Sequence, residues 1–277
     1  MKKITSAAAV ALAVILTVTL ALAGCGKKQK ETLFVKQLVS SSNTEAELLY
    51  ISDDQWEKEA ERVEIPQAPE QISVTAGTEQ KTKKNGYYYH RIPIKVESRK
   101  LQKTGHFGKP FEFEKVKIIW DDGSSSTEQI GTIRITDGKK RNGLKRSESG
   151  QMHADKGWIQ YTDYQVKKNM KIIHMEIPFE KEKGISLPQV AVNAVSAQAI
   201  DKKHPLKLHR GELCRVETQI PEDLTARYGR ILLEGEMVTI DGNKKKQKTE
   251  ILIDWDGFGR QDPENYLRGE KSDKQKE

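Results

Sequence analysis

The sequence predicts an all-β protein built from antiparallel β-sandwich modules. Three observations carry that prediction. Apolar and polar residues alternate through a succession of stretches, the pattern of half-buried strands. Asn85-Gly86, Asp122-Gly123, Asp137-Gly138, Asn142-Gly143, Asp241-Gly242 and Asp256-Gly257 punctuate them, and such pairs accept the positive φ of tight turns. Beyond residue 25 no long stretch keeps a helical period. With 31% charged and 36% hydrophobic residues, the chain has enough apolar content for a modest core with long polar edges.

The N-terminus reads as a targeting segment. Lys2 and Lys3 precede an apolar run from Ala7 to Ala23, interrupted only by Thr17 and Thr19, which ends in Leu22-Ala23-Gly24-Cys25. A basic start, an apolar stretch and a small-residue cleavage site describe a secretory signal. The run is short for a membrane span, which takes about 20 residues. The cysteine directly after the small residues resembles the lipobox of bacterial lipoproteins. That resemblance implies diacylglyceryl transfer to Cys25, cleavage before it, and a membrane anchor on the extracytoplasmic face. Each buried CH₂ of an acyl chain contributes about 0.8 kcal/mol, so two chains hold a protein where one would not. Cleavage takes 24 of the 277 residues and leaves 253; it removes Lys2 and Lys3, leaving +5 of the +7 net charge.

The expected organisation follows in order. Residues 1–24 are signal and 25–31 tether. A first β-rich module runs over 32–136, a basic flexible loop or linker over 137–157, a second module over 158–262, and a polar tail over 263–277. Within the first module, Ser52 or Asp53 is placed to cap a short helix through Arg62, because Trp56, Ala60 and Val63 have helical spacing. Ile65 to Glu70 reads as loop. Tyr87 to Val96 sets Tyr88, Ile92, Ile94 and Val96 on one face, with His90 and Pro93 pointing to an edge strand or bulge. Phe111 to Trp120 and Glu128 to Ile135 continue the set.

The linker holds Lys139, Lys140, Arg141, Lys145 and Arg146, and only Leu144 and Met152 as large apolar residues. In the second module, Lys171 to Phe179 sets Ile173, Met175, Ile177 and Phe179 on one face. Val190 to Ala197 is apolar on both faces, and Glu212 to Ile220 alternates. Gly229 to Ile240 and Lys248 to Trp255 form a hairpin whose tip carries Lys244, Lys245, Lys246 and Lys248. A weak repeat aligns Tyr89–Ile94 with Tyr228–Leu233, and Trp120 with Trp255, as two copies of one β-module would. Pro221 to Tyr228, followed by a strand, resembles the tyrosine corner of immunoglobulin-like sandwiches, and that resemblance implies the same fold class.

Chemistry is sparse. The sequence lacks a Gly-x-Ser-x-Gly elbow, a Ser-x-x-Lys, a His-Glu-x-x-His, a Gly-x-Gly-x-x-Gly and a phosphate loop. Once Cys25 carries lipid, Cys214 has no disulfide partner and reads as a small buried hydrophobe. Asp254-Trp-Asp-Gly-Phe-Gly-Arg-Gln-Asp262 sets Asp254, Asp256 and Asp262 on three positions of a calcium loop. Phe258 and Asn265 then fall where two further ligands belong, and a strand ending in an Asp-Gly turn explains the stretch equally. Otherwise no cofactor is expected. No aromatics alternate with the lysines as a nucleic-acid stacking platform requires.

The reading is a lipid-anchored envelope protein with a binding or structural role. Its expected partners are the membrane, through the lipid, and an envelope protein or anionic wall polymer. The basic residues Lys139, Lys140, Arg141, Lys145, Arg146, Lys244, Lys245, Lys246 and Lys248 are expected to meet an anionic surface. The alternative is an envelope hydrolase with a site assembled from residues distant in sequence.

Overall fold

The computed structural model describes residues 32–260 apart from 54–55, 67, 70–71, 99–108, 138–141, 181–184, 194 and 201–203. The N-terminal half contributes β1 (Thr32–Phe34), β2 (Gln37–Ser41), β3 (Glu45–Ser52), β4 (Ala60–Glu64), β5 (Ile72–Ala76), β6 (Gln80–Lys84), β7 (Tyr87–Ser98), β8 (Phe111–Trp120) and β9 (Ser125–Ile135). The C-terminal half contributes β10 (Lys145–Ala154), β11 (Gly157–Gln165), β12 (Met170–Glu176), β13 (Gln189–Val192), β14 (Val195–Ala199), β15 (Leu206–Leu208) and β16 (Leu213–Pro221). A short helix α1 (Glu222–Arg227), β17 (Arg230–Asp241) and β18 (Lys246–Asp256) complete it. The all-β sandwich class is the one expected.

These strands form three sheets. One runs β1-β3-β7-β5, with β6 also on β7. A second runs β10-β11-β16-β13-β14. The third, of eight strands, runs β15-β12-β17-β2-β9-β8-β4, with β18 also on β17. It therefore contains strands from both halves. Their junction is β2, which lies parallel to β17 on one side and to β9 on the other, whereas the other pairings are antiparallel.

All five residues of β2 are buried, and its alternation feeds two cores. Leu38 packs with Ile231, Leu233, Met237 and Cys214 in the C-terminal core. Val39 packs with Ile133, Phe113, Val116 and Trp120 in the N-terminal core. Successive strand residues point to opposite faces, so the two sandwiches use opposite faces of the shared sheet.

The halves repeat one topology. β3-β7-β5 in one matches β11-β16-β13 in the other, and β4-β8-β9 matches β12-β17-β18. In both, the second strand of the series (β4 or β12) pairs with the end of the long strand that opens the hairpin, through a one-residue bulge, at Glu61 or Ile173. The offset differs from the one the sequence alignment suggested. Tyr89–Ile94 and Tyr228–Leu233 fall on β7 and at the start of β17, which are not equivalent; β7 matches β16, and β8 matches β17.

Bulges also account for two corrections. No helix forms between Asp53 and Arg62 among the described residues. Ala60 instead begins β4, opposite Trp120. The bulge inserts one residue between Ala60 and Val63, so both reach the N-terminal core and imitate helical spacing. In β12 the bulge at Ile173 changes the phase, and the core residue is Ile172, not Ile173.

Two further expectations are revised. β7 is not an edge strand: β3 covers one side, and β6 and β5 share the other. The Pro93 carbonyl accepts from Gly77 N–H (2.7 Å) at the break between β6 and β5, where a proline costs no ladder bond. The linker is not all loop, because β10 occupies 145–154 and pairs along β11, with a bulge at Ser147. Tyr228 is buried in the C-terminal core behind the short helix α1.

Candidate functional site

The N-terminal core encloses a polar cluster. Ser52 ends β3, His90 faces it from β7, and Glu79 reaches in from the turn before β6. Ser52 Oγ lies 2.8 Å from His90 Nε2, and His90 Nδ1 lies 2.5 Å from Glu79 Oε1. Tyr50 donates its hydroxyl to the same oxygen at 2.8 Å and stacks on the His90 ring at 4.0 Å. Ala60 N–H donates to the other carboxylate oxygen at 3.3 Å.

Desolvation by burial raises the Glu79 pKa, but the hydrogen bonds from His90 and Tyr50 outweigh it and hold the carboxyl below the usual range. Burial raises the Tyr50 phenol far above its ordinary value. The connectivity is that of a serine–histidine–carboxylate triad. Access is not, because Ser52 and His90 are each 1% exposed and Ser52 pairs with strands on both sides. A nucleophile needs a substrate carbonyl and oxyanion donors within reach. The cluster instead ties β3, β4 and β7 together.

Of the candidate calcium ligands, Asp254 and Asp256 are both held by arginines. Asp254 lies on β18 with Arg230 2.8 Å away, and Asp256 meets Arg230 and Arg91, each at 3.0 Å. Asp262 lies outside the described residues. Among those described, no three His, Cys, Asp or Glu side chains are grouped to hold a metal. The Asp256–Arg91 pair instead joins the two halves. Phe258 follows it and packs on Tyr89 of β7, with ring centroids 5.3 Å apart. Cys214 is fully buried, and burial pushes its thiol up to about 12, so it is no nucleophile at neutral pH.

The structure brings Lys248, at the end of the 244–248 basic segment, beside Lys145 and Arg146. Asn142 and Gly143 donate their N–H groups to the Lys248 carbonyl (3.2 and 2.9 Å), and Leu144 N–H donates to Thr249 Oγ1 (2.7 Å). Residues 142–144 thus lie across the outer edge of β18. A Cβ on Gly143 would come within 2.0 Å of Thr249 Oγ1, so this approach needs glycine. The strap delivers Lys145 and Arg146 to one rim of a groove of about 360 Å³. Leu144, Thr162, Tyr164, Lys248, Thr249, Glu250 and Leu252 complete it.

Lys145 and Arg146 are exposed, and neither meets a carboxylate among the described residues. Lys248 donates to Glu236 at 2.9 and 3.1 Å, so its charge is largely neutralised. Asp241 shapes the hairpin tip: one carboxylate oxygen accepts from Asn243 and Lys245 N–H groups (3.1 and 3.0 Å), and the other from Lys168 Nζ (2.7 Å). The hydrogen bond from Lys168 is the largest influence holding its pKa below the usual range. Lys244, Lys245 and Lys246 project from this fixed turn. Lys139, Lys140, Arg141 and Cys25 lie outside the described residues.

A second crevice, of about 450 Å³, lies where β2 and β12 end facing each other on one edge of β17. β2 covers Arg230 to Leu233, β12 covers Glu236 to Asp241, and Gly235 lies between. A Cβ there would come within 2.6 Å of the Glu176 carbonyl oxygen. Two of its charged groups are already held. Glu234 accepts from Ser41 Oγ (2.6 Å) and from Ser42 N–H and Oγ (3.0 and 2.7 Å). Arg134 donates to Glu112 at 2.6 Å and lies 4.1 Å over the Phe179 ring. This crevice is a junction between sandwiches.

Among the described residues, no helix is long and apolar enough to cross a membrane. No family model matches the chain, and no curated protein does. Among the solved structures that match it, two show how weak the resemblance is. A Porphyromonas gingivalis W83 protein of unknown function is 6% identical with a TM-score of 0.23, over 82% of this chain and 98% of that one. A structure described as manganese lipoxygenase of Gaeumannomyces graminis with part of zonadhesin of Komagataella pastoris is 9% identical with a TM-score of 0.22, over 81% and 92%. Likeness of that degree carries no functional argument.

Proposed function

We propose that the protein is a lipid-anchored component of the extracytoplasmic face of a bacterial membrane, acting by binding or as a structural element. The Leu22-Ala23-Gly24-Cys25 motif behind a basic and apolar leader carries this reading. An all-β scaffold with a basic groove is compatible with it. The test is metabolic labelling with a palmitate analogue. Wild type incorporates label and partitions into detergent, and Cys25→Ser does neither, because the thioether needs the sulfur. Equal labelling and partitioning of the variant contradict the reading.

The rival reading, an envelope hydrolase, has one observation in its favour, the Ser52–His90–Glu79 connectivity. Burial of Ser52 opposes it. A fluorophosphonate probe should leave Ser52 unmodified in the folded protein, and labelling abolished by Ser52→Ala would restore the rival.

A further inference from the structure

We infer that the groove between β10 and the outer edge of β18 binds a linear polymer bearing repeated phosphate groups. The inference rests on the envelope-binding reading above and names its ligand. Three observations carry it.

The first is the arrangement of charge. Lys145 and Arg146 line one rim. Lys246 lies two residues, roughly 7 Å, along β18 from Lys248, and Lys245 and Lys244 continue to the hairpin tip. None of these five side chains, Lys145, Arg146 and Lys244 to Lys246, has a carboxylate partner among the described residues; only the Lys245 backbone N–H meets one, that of Asp241. The cations form a line leading out of a groove, which matches a chain of anions better than one small anion. Glu250 is the single acid among the lining residues.

The second is the state of the strand edge. On β18 the carbonyls of Lys248, Glu250 and Asp254 already accept from the 142–143 strap, the Tyr164 hydroxyl and the Gln151 amide. An added peptide strand would bring N–H groups that find few acceptors here, and unpaired amides are costly. Phosphate brings acceptors alone and suits Lys and Arg donors.

The third is the repeat. β9 is equivalent to β18, and its outer edge is covered by β2. In the C-terminal copy no strand takes that edge among the described residues; the 142–144 strap and side chains of β10 and β11 reach it instead and leave the groove beside it.

The test uses the full chain in neutral detergent and fluorescent long-chain inorganic polyphosphate. Wild type should bind at about 50 mM salt and weaken steeply by about 200 mM, as counterion release requires. K145Q/R146Q should lose about ten-fold at low salt and show a shallower salt dependence, by about one unit for each cation–phosphate pairing removed. K244Q/K245Q/K246Q should lose affinity similarly. K81Q/K83Q removes two cations from β6, outside the groove, and should change binding less than two-fold. Circular dichroism should match wild type throughout.

Absence of wild-type binding overturns the inference, as does an equal loss in the β6 control. Groove-dependent binding to anionic vesicles without polyphosphate binding overturns it in favour of a lipid surface. Tighter binding of an acidic polypeptide overturns it in favour of a protein partner. The palmitate experiment fails independently: a labelled protein that ignores polyphosphate loses only the groove, and an unlabelled one that binds it loses only the anchor.

Discussion

The hairpins β8–β9 and β17–β18 occupy equivalent places in the two sandwiches and have opposite surfaces. The first turns through Asp121, Asp122, Gly123, Ser124, Ser125 and Ser126; the second through Asp241, Gly242, Asn243, Lys244, Lys245 and Lys246. One tip is acidic and hydroxylic, the other cationic. Their outer edges differ as well, since β9 pairs with β2 and β18 borders the groove. Equal topology therefore does not mean equal role. The N-terminal copy uses its outer edge to build the shared sheet, whereas the C-terminal copy borders a groove with it, the site proposed for polyphosphate.

The interiors differ in the same way. The N-terminal core holds Ser52, Glu79 and His90 in a buried network, whereas the C-terminal core is a larger apolar cluster that includes Met170, Met175, Met237 and Cys214. The largest expected effect comes from breaking that asymmetry. Glu79→Ala leaves His90 and Tyr50 without their shared acceptor in a buried site, and the loss should be about 3–5 kcal/mol by urea denaturation. Cys214→Ala removes only a small apolar side chain and should cost far less. Equal losses would mean that the network is unimportant.

Next in size is the strand serving both cores. Leu38→Ala empties a fully buried position in the C-terminal core and should cost about 2–5 kcal/mol. Because β2 belongs to the shared sheet, the loss should appear in one unfolding transition monitored by tryptophans of both halves. A separate, unshifted transition for the N-terminal half would dissolve the idea of a common sheet.

Gly143→Ala should be milder, about 1–3 kcal/mol, as the strap shifts away from Thr249. It should also weaken polyphosphate binding, because the strap carries Lys145 and Arg146. Unchanged binding with lowered stability would separate the strap from the groove.

The smallest effect is a pH dependence. The Glu79 pKa is depressed in the folded state, so its contribution is present above the ordinary value of 4.5 and is lost as pH falls through the lower folded value. The stability gap between wild type and Glu79→Gln should narrow over that acidic window and stay constant at neutral pH. A gap that widens on acidification would reverse the assigned sign.

The fold class was legible because most strands have one wet and one dry face, as β17 shows in alternating Ile231, Leu233 and Met237 with Leu232, Glu234 and Glu236. β10 was hidden because both its faces are largely exposed, so it carries no alternation. β2 was hidden for the opposite reason, being buried on both faces with serines at its end. Bulges at Glu61 and Ile173 add one residue and shift the phase, which turned a strand into an apparent helix and misplaced a core isoleucine. Of the site, the lysines and arginines were visible as local composition. Their convergence was not, because it depends on Gly143 lying against β18, and only long-range pairing decides that. The Ser52–His90–Glu79 contacts come from three separate segments and have no local signal.

Binding by the C-terminal copy, and not by its N-terminal equivalent, is the central claim. Hydrogen–deuterium exchange of the full chain with and without polyphosphate tests it directly. Added protection is expected over residues 142–146 and 244–252 and none over the equivalent 121–127 hairpin. Protection centred on the N-terminal hairpin, or spread evenly over both halves, would contradict it.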